Sequence, residues 1–296
     1  MSGDEAWVLG VIGGSGLYEI EGLEDARWEA IDSPWGAPSD ELLRGRLSGV
    51  ECVFLPRHGR GHVLSPTDLN ARANIDVLKR AGATDVISLS ACGSFREELS
   101  PGTFVVVDQF IDRTFARAKS FFGKGCVAHV SMADPVCARL SALAAEAGRA
   151  SGAQVVEGGT YLCMEGPQFS SRAESELYRT WGCDVIGMTN MPEAKLAREA
   201  ELPYASVAMV TDYDCWHDDH GAVDVATVIK VLQGNADQAR ALVKALCAQL
   251  AETPRTPSPQ GIEICLDFAL ITPPEKRDPA LVEKLDAVAG RALKGG

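Results

Sequence analysis

Short apolar, β-branched runs alternate with stretches of helical period along residues 7–251. Residues 7–12 read as a strand that runs into the glycine loop Gly13-Gly14-Ser15-Gly16. Residues 51–55 read as a second strand, leading into Pro56-Arg57-His58-Gly59. A helix is expected next, with Ser65 as N-cap, Pro66 at the first helical position and Asp68 completing an S-x-x-D box. Leu69, Ile75, Leu78 and Ala81 would form its apolar face, and Gly82 would end it. Residues 85–89 predict a strand that opens into Ser90-Ala91-Cys92-Gly93-Ser94. Further strands are expected over 103–107, 154–164, 185–188 and 204–210, and helices over 134–150, 171–181, 192–200 and 223–251. Strands that end in polar or glycine-rich loops and alternate with helices predict an α/β layered fold with ligands at the strand ends.

The pattern breaks after Glu252, where a proline-rich stretch reads as an extended linker. Residues 1–252 are therefore expected to form one domain. Residues 253–296, with an apolar stretch at 262–271 and a final helix near 279–293, are too short to stand alone and should pack on that domain or on a neighbouring subunit.

Composition narrows the function classes. The net charge of −13 comes without a Lys/Arg stripe, which argues against a nucleic-acid partner. No apolar run reaches the roughly 18 residues of a membrane helix, and the N-terminus has no signal-like pattern. Nine cysteines with no C-x-x-C fit reduced thiols, so a cytoplasmic location is expected. On so acidic a chain an anion site must be built locally, from a few cationic groups and backbone N–H donors.

Four features could carry chemistry. The G-G-x-G loop does not match the dinucleotide fingerprint G-x-G-x-x-G; it is either a structural turn or an anion nest to which the Ser15 hydroxyl adds a donor. Arg57-His58 is either a solvated pair or a phosphate anchor offering bidentate guanidinium donors, and Ser90-Ala91 and Thr189 would add hydroxyl and N–H donors at other strand ends. Asp212 and Asp214 follow a strand with one residue between them. If that segment is extended, both carboxylates face one side; the alternatives are a solvated loop or a helix cap. Burial and like charge would raise such carboxyl pKa values, as a proton donor to a leaving base needs. His217-Asp218-Asp219-His220 precedes the long helix and lacks partners at ligand spacing, so it reads as a helix entry and no metal is expected.

Taken in order, the strings Ile12-Gly13-Gly14-Ser15-Gly16-Leu17, Arg57-His58-Gly59, Ser90-Ala91-Cys92-Gly93-Ser94, residues 108–113, residues 165–174, Met188-Thr189 with Pro192-Glu193, and residues 211–216 resemble the trimeric purine nucleoside phosphorylases, in the branch acting on 5′-methylthioadenosine. The resemblance runs from about residue 7 to 250. It implies one α/β domain around a twisted, mixed sheet flanked by helices, assembled as a homotrimer with sites near subunit interfaces. It also implies attack of inorganic phosphate on the ribosyl carbon, releasing adenine and 5-methylthioribose 1-phosphate, with no metal or organic cofactor. Carried over by position, phosphate would be held by Ser15, Arg57, His58, Ser90, Ala91 and Thr189. Met188 would lie against the ribose, with Phe169 and Ser170 along the sugar and base. Asp212 would protonate N7 of the purine and Asp214 accept from its exocyclic amine. His129 of an adjacent subunit, with Val225, Val228 and Ile229, would enclose the methylthio group. The chain departs from that branch at Gly187, where Asn is frequent before Met-Thr. Relatives acting on methylthioinosine have Gly-Met-Thr there, which keeps a 6-oxopurine nucleoside as an alternative substrate; a non-catalytic nucleoside-binding protein is the alternative of another class.

Overall fold

The computed structural model describes residues 6–14, 16–217 and 225–294, with the backbone alone for 225–230 and 232. Ser15, residues 218–220 and the side chains of Val225, Val228 and Ile229 thus lie outside the described residues.

Its frame is one mixed sheet of eleven strands. These are β1 (Val8–Gly13), β2 (Glu24–Glu29), β3 (Leu42–Leu47), β4 (Val50–Pro56), β5 (Asp85–Ser94), β6 (Thr103–Val107), β7 (Gln109–Asp112), β8 (Gln154–Glu157), β9 (Thr160–Cys163), β10 (Val185–Gly187) and β11 (Tyr204–Asp212). The helices are α1 (Ala71–Arg80), α2 (Ala138–Ala150), α3 (Arg172–Thr180), α4 (Glu193–Glu199), α5 (Val225–Glu252), α6 (Pro279–Lys284) and α7 (Asp286–Lys294).

Alternation along the central strands explains both the layers and the unbroken apolar runs, because a strand covered on two faces must be apolar on both. Leu9 and Val11 of β1, Cys52 and Phe54 of β4, Ile87 and Leu89 of β5 and Val207 and Met209 of β11 join one core, with Ala144 of α2 and Leu242 and Leu246 of α5. Their neighbours Ile12, Val53, Leu55, Val86, Ala208 and Val210 join the opposite core, with Ile75 of α1, Leu196 of α4 and Val288 of α7. Leu266, Ala269 and Leu285 enter the same core, so the segment after the proline-rich break packs on the body of its own chain. The break itself is tied down by Arg255, which donates to the wholly buried Asp85 at 2.7 Å, and by Trp7, which donates to the Thr253 carbonyl at 2.6 Å.

β5 is the pivot. Its first half lies between β1 and β11, parallel to both. Its end instead pairs antiparallel with β10 at Gly93 and Ser94. The sheet forks there, and a fork leaves strand ends whose side chains converge on a crevice.

Several expected elements differ. Residues 90–94 are strand rather than loop, so Ser90 and Ala91 sit inside β5. The cap of the helix expected from Ser65 lies five positions later: Asn70 accepts from Ala73 N at 3.2 Å and fixes the start of α1, while Ser65 and Asp68 close a separate turn through a 2.6 Å hydrogen bond. The strand expected over 154–164 is two strands, β8 pairing with β6 and β9 with β10 and β7, parted at Gly158 and Gly159. The final helix is likewise two, α6 and α7. Strands β2, β3 and β7 are additional to the expected set; β2 is almost wholly exposed and β7 at best half-buried, so neither bears an apolar pattern.

Candidate active site

The crevice at the fork is a cavity of about 610 Å³. Into it open Gly14 after β1, Arg57 and His58 after β4, Ser90 to Gly93 of β5, Gly187 to Thr189 around the end of β10, and Thr211 and Asp212 at the end of β11. Met164 and Phe169 close one flank and Leu17, Met209 and Ala236 another. Five segments remote in sequence thus reach one place because the sheet topology gathers their strand ends.

One end of the cavity is rich in donors. Arg57 is 1 % exposed and largely committed to the protein. Its Nε donates to Glu193 Oε1 at 2.6 Å, Nη1 to the Leu89 carbonyl at 3.0 Å, and Nη2 to Ser88 Oγ at 2.5 Å. Most of the guanidinium's donors are therefore engaged by the protein itself, with one Nη1 hydrogen outside these contacts. The buried Glu193 carboxylate compensates the guanidinium, without which so deep a charge would be costly. Ser88, Asn190 and Tyr204 complete this floor: Ser88 Oγ donates to Asn190 Oδ1 at 2.8 Å, and Asn190 Nδ2 reaches Ser90 Oγ at 3.4 Å.

His58 beside it is held by its Nδ1, 2.9 Å from the Leu64 carbonyl. A carbonyl can only accept, so Nδ1 carries the proton and Nε2 is the free position. Burial, helped by the Arg57 charge, pushes His58 down to about 4, so the ring is neutral near pH 7. Its plane stacks on His62, with centroids 4.2 Å apart.

The other end is acidic. Asp212 and Asp214 do not face one side of an extended strand, as expected. β11 ends at Asp212, and Asp214 opens a 3₁₀ turn with φ of 52°. The turn joins the two acids instead: Asp214 N donates to Asp212 Oδ1 at 2.8 Å, and Thr211 Oγ1 donates to Asp212 Oδ2 at 2.7 Å. Asp212 lines the cavity, whereas Asp214 is 4 % exposed and accepts from Ser170 Oγ at 3.0 Å. Burial raises both carboxyls above their ordinary range; for Asp212 two hydrogen bonds oppose it and the neighbouring Asp214 charge adds to it. Gly93 makes room for this arrangement, since a Cβ there would lie 2.9 Å from Asp212 Oδ1.

The lip of the cavity converges on two residues that the sequence reading assigned no role. Glu165 accepts from Thr67 Oγ1 at 2.6 Å, from the Phe115 and Ala116 amides at 2.6 and 3.1 Å, and from Arg117 Nε at 3.1 Å. Burial works to raise its pKa, but these donors outweigh burial and hold it at about 2. Arg117 in turn clasps the carbonyls of Met188, Met191 and Glu165 at 2.8, 2.7 and 2.6 Å, which fixes Met188 at the cavity wall. The run Glu165-Gly166-Pro167 and the Pro192-Glu193 pair were visible in the sequence; that each carries a buried carboxylate hub was not.

The structure therefore brings together Arg57, His58, Ser90, Ala91, Thr189, Phe169, Met188 and Asp212. Asp214 adjoins Asp212 through its amide, and Ser170 is bonded to Asp214. His129 is exposed and away from its own chain's cavity, its amide bonded to the Ala269 carbonyl at 2.9 Å.

Comparison with known proteins agrees with this architecture. Residues 8–248 match the model of the phosphorylase superfamily. An S-methyl-5′-thioadenosine phosphorylase of Cereibacter sphaeroides is 69 % identical over 288 residues, 97 % of this chain and 99 % of that relative. One of Rhodospirillum rubrum is 64 % identical over 286 residues, 97 % of both chains. Among solved structures, a methylthioadenosine phosphorylase from an antarctic soil metagenomic library superposes with a TM-score of 0.90 at 45 % identity, covering 96 % of this chain and 99 % of that one. The Schistosoma mansoni methylthioadenosine phosphorylase in complex with adenine gives 0.80 at 36 % identity, over 86 % and 95 %. With the match spanning nearly the whole chain, the chain belongs to the phosphorylase superfamily, in the family of the S-methyl-5′-thioadenosine phosphorylases.

Proposed function

We propose that this chain cleaves S-methyl-5′-thioadenosine by phosphorolysis, giving adenine and 5-methylthioribose 1-phosphate. The observation that carries the reading is that Asp212 opens into the same cavity as Arg57, His58, Ser90, Ala91 and Thr189. Anion donors at one end and a carboxyl at the other are what a reaction needs when a purine leaves as phosphate arrives.

Phosphate is a weak nucleophile, so the glycosidic bond must be largely broken before the new bond forms, leaving an oxocarbenium-like sugar. Phosphate held under that sugar by Ser15, Arg57, His58, Ser90, Ala91 and Thr189 stabilises the cation as it develops. Asp212, its pKa raised by burial, donates its proton to N7 and relieves the charge on the departing base. Asp214, steadied by Ser170, accepts from the 6-amino group; a 6-oxo group would turn an oxygen toward a carboxylate. Met188 and Phe169 bound the ribose and base. Phosphate is a co-substrate, and we assign no metal or organic cofactor to the reaction.

The apolar side of the sugar pocket would be finished by Val225, Val228 and Ile229 and by His129 of a neighbouring copy in a homotrimer. His129 is exposed and off its own cavity, as a residue serving another subunit would be. Among the described residues no helix is long and apolar enough to cross a membrane, and we place the enzyme in the cytoplasm.

A second reading, phosphorolysis of methylthioinosine or another 6-oxopurine nucleoside, draws on Gly187 before Met188-Thr189. The test is adenine release from methylthioadenosine with and without inorganic phosphate. Release that depends on phosphate supports the proposal, and binding of the nucleoside with no release in saturating phosphate refutes it.

A further inference from the structure

Gly187 has a structural cause that bears on the phosphate end of the cavity. Tyr161 stands on β9, beside β10 in register with Val185, and is wholly buried. Gly187 is two positions further along β10, and a Cβ there would lie 1.9 Å from the tyrosine oxygen and 2.8 Å from Cζ. The Ala91 carbonyl closes the same space at 3.3 Å. A side chain at 187 would force this ring to shift. The hydroxyl so placed reaches Thr189 Oγ1 at 3.2 Å.

The direction of that hydrogen bond follows from the chemistry of the site. A threonine hydroxyl has one proton, and phosphate is mainly an acceptor. Thr189 can give its proton to phosphate only if its remaining hydrogen bond is one that it accepts. Tyr161 faces it from the buried side, where burial raises the phenol pKa and keeps the proton on oxygen.

We propose that Tyr161 is a positioning residue of the phosphate subsite: its hydroxyl donates to Thr189 Oγ1, turning the threonine proton toward the bound phosphate, and Gly187 is glycine because this tyrosine fills its side-chain space. The inference rests on the reading of Thr189 as a phosphate donor. It also separates Gly187 from base selection, since the residue is dictated by Tyr161 rather than by an oxygen at C6 of the purine.

The variant Tyr161→Phe removes the hydroxyl and leaves the ring. Its KM for phosphate should rise about three- to tenfold, the loss of one hydrogen bond, while KM for methylthioadenosine, the preference for it over methylthioinosine and the melting temperature stay near wild type. In a Thr189→Val background the same change should add little, because its target is gone. Gly187→Ala should weaken phosphate further, and Tyr161→Phe should recover part of that loss by withdrawing the closest atom. An unchanged phosphate KM in Tyr161→Phe, an equal rise in nucleoside KM, or a full Tyr161→Phe effect in the Thr189→Val background overturns the inference while leaving the proposed reaction intact. Absence of phosphate-dependent cleavage by the wild type instead removes the reaction on which it rests. Should Gly187→Ala fail to fold, the Tyr161 and Thr189 variants decide alone.

Discussion

The two ends of the cavity are built on opposite electrostatic plans. At the phosphate end a buried cation is neutralised from behind: Glu193 takes Arg57 Nε at 2.6 Å, and Ser88, Leu89 and Asn190 absorb most of the remaining polarity. At the base end a carboxyl is buried with no cation beside it among the described residues, held by a hydroxyl and an amide, and its pKa rises. The first plan keeps the site charge constant across ordinary pH, whereas the second creates a group able to hold and give up a proton. The protein thus spends its buried ion pair where an anion must be positioned and leaves the acid unpaired where chemistry is to occur.

Substitutions that break this contrast should differ in kind. Asp212→Asn removes the proton donor, and turnover on methylthioadenosine should fall about 10²- to 10⁴-fold with phosphate KM little altered; steady-state kinetics with each substrate varied would check it, and near-normal turnover would remove the role. Glu193→Ala strands Arg57 as an uncompensated buried charge and should cost about 3–5 kcal/mol of folding stability, read by denaturant unfolding. A loss well under 1 kcal/mol would mean that Arg57 is not held as described. Asp214→Asn offers an amide that can face either an amine or an oxygen. It should narrow the preference for 6-amino over 6-oxo nucleosides about tenfold or more, measured by competition of the two substrates.

The pH responses of the two ends should also separate. Asp212 acts in its protonated form with a raised pKa, so turnover at saturation is highest on the acid side and falls as pH rises through that pKa. Glu165 has the opposite sign. Its pKa is held at about 2, so the stability it lends the lip is complete above the ordinary glutamate range and fades as pH falls toward that value. Glu165→Gln should flatten the acid limb of the stability profile and leave the alkaline limb of turnover unmoved.

Legibility in the sequence followed burial and chain locality. The central strands were readable because both faces are covered, so β4, β6 and β11 appear as apolar runs. Exposed β2 has no such pattern, and the true cap of α1 was hidden by a better-looking Ser65 box whose side chains satisfy each other. Among site residues, Arg57, His58, Thr189 and Asp212 were found because they stand in glycine- or hydroxyl-rich strings at strand ends. Glu193, Asn190 and Tyr161 act from behind through contacts across long sequence separations, Glu193 to Arg57 spanning 136 residues. No local spacing encodes such partners. Nor could the string Asp212-Tyr213-Asp214 announce the left-handed backbone at Asp214, whose amide is bonded to the first acid.

The most direct test of the acidic end as the selector of the base is the ratio of kcat/KM for methylthioadenosine to that for methylthioinosine, measured on the wild-type protein at saturating phosphate. A ratio of about one hundred or more is expected, because the 6-oxo base sets an oxygen against a buried acidic pair. A ratio of one or less would contradict the account and move the base preference to the 6-oxopurines.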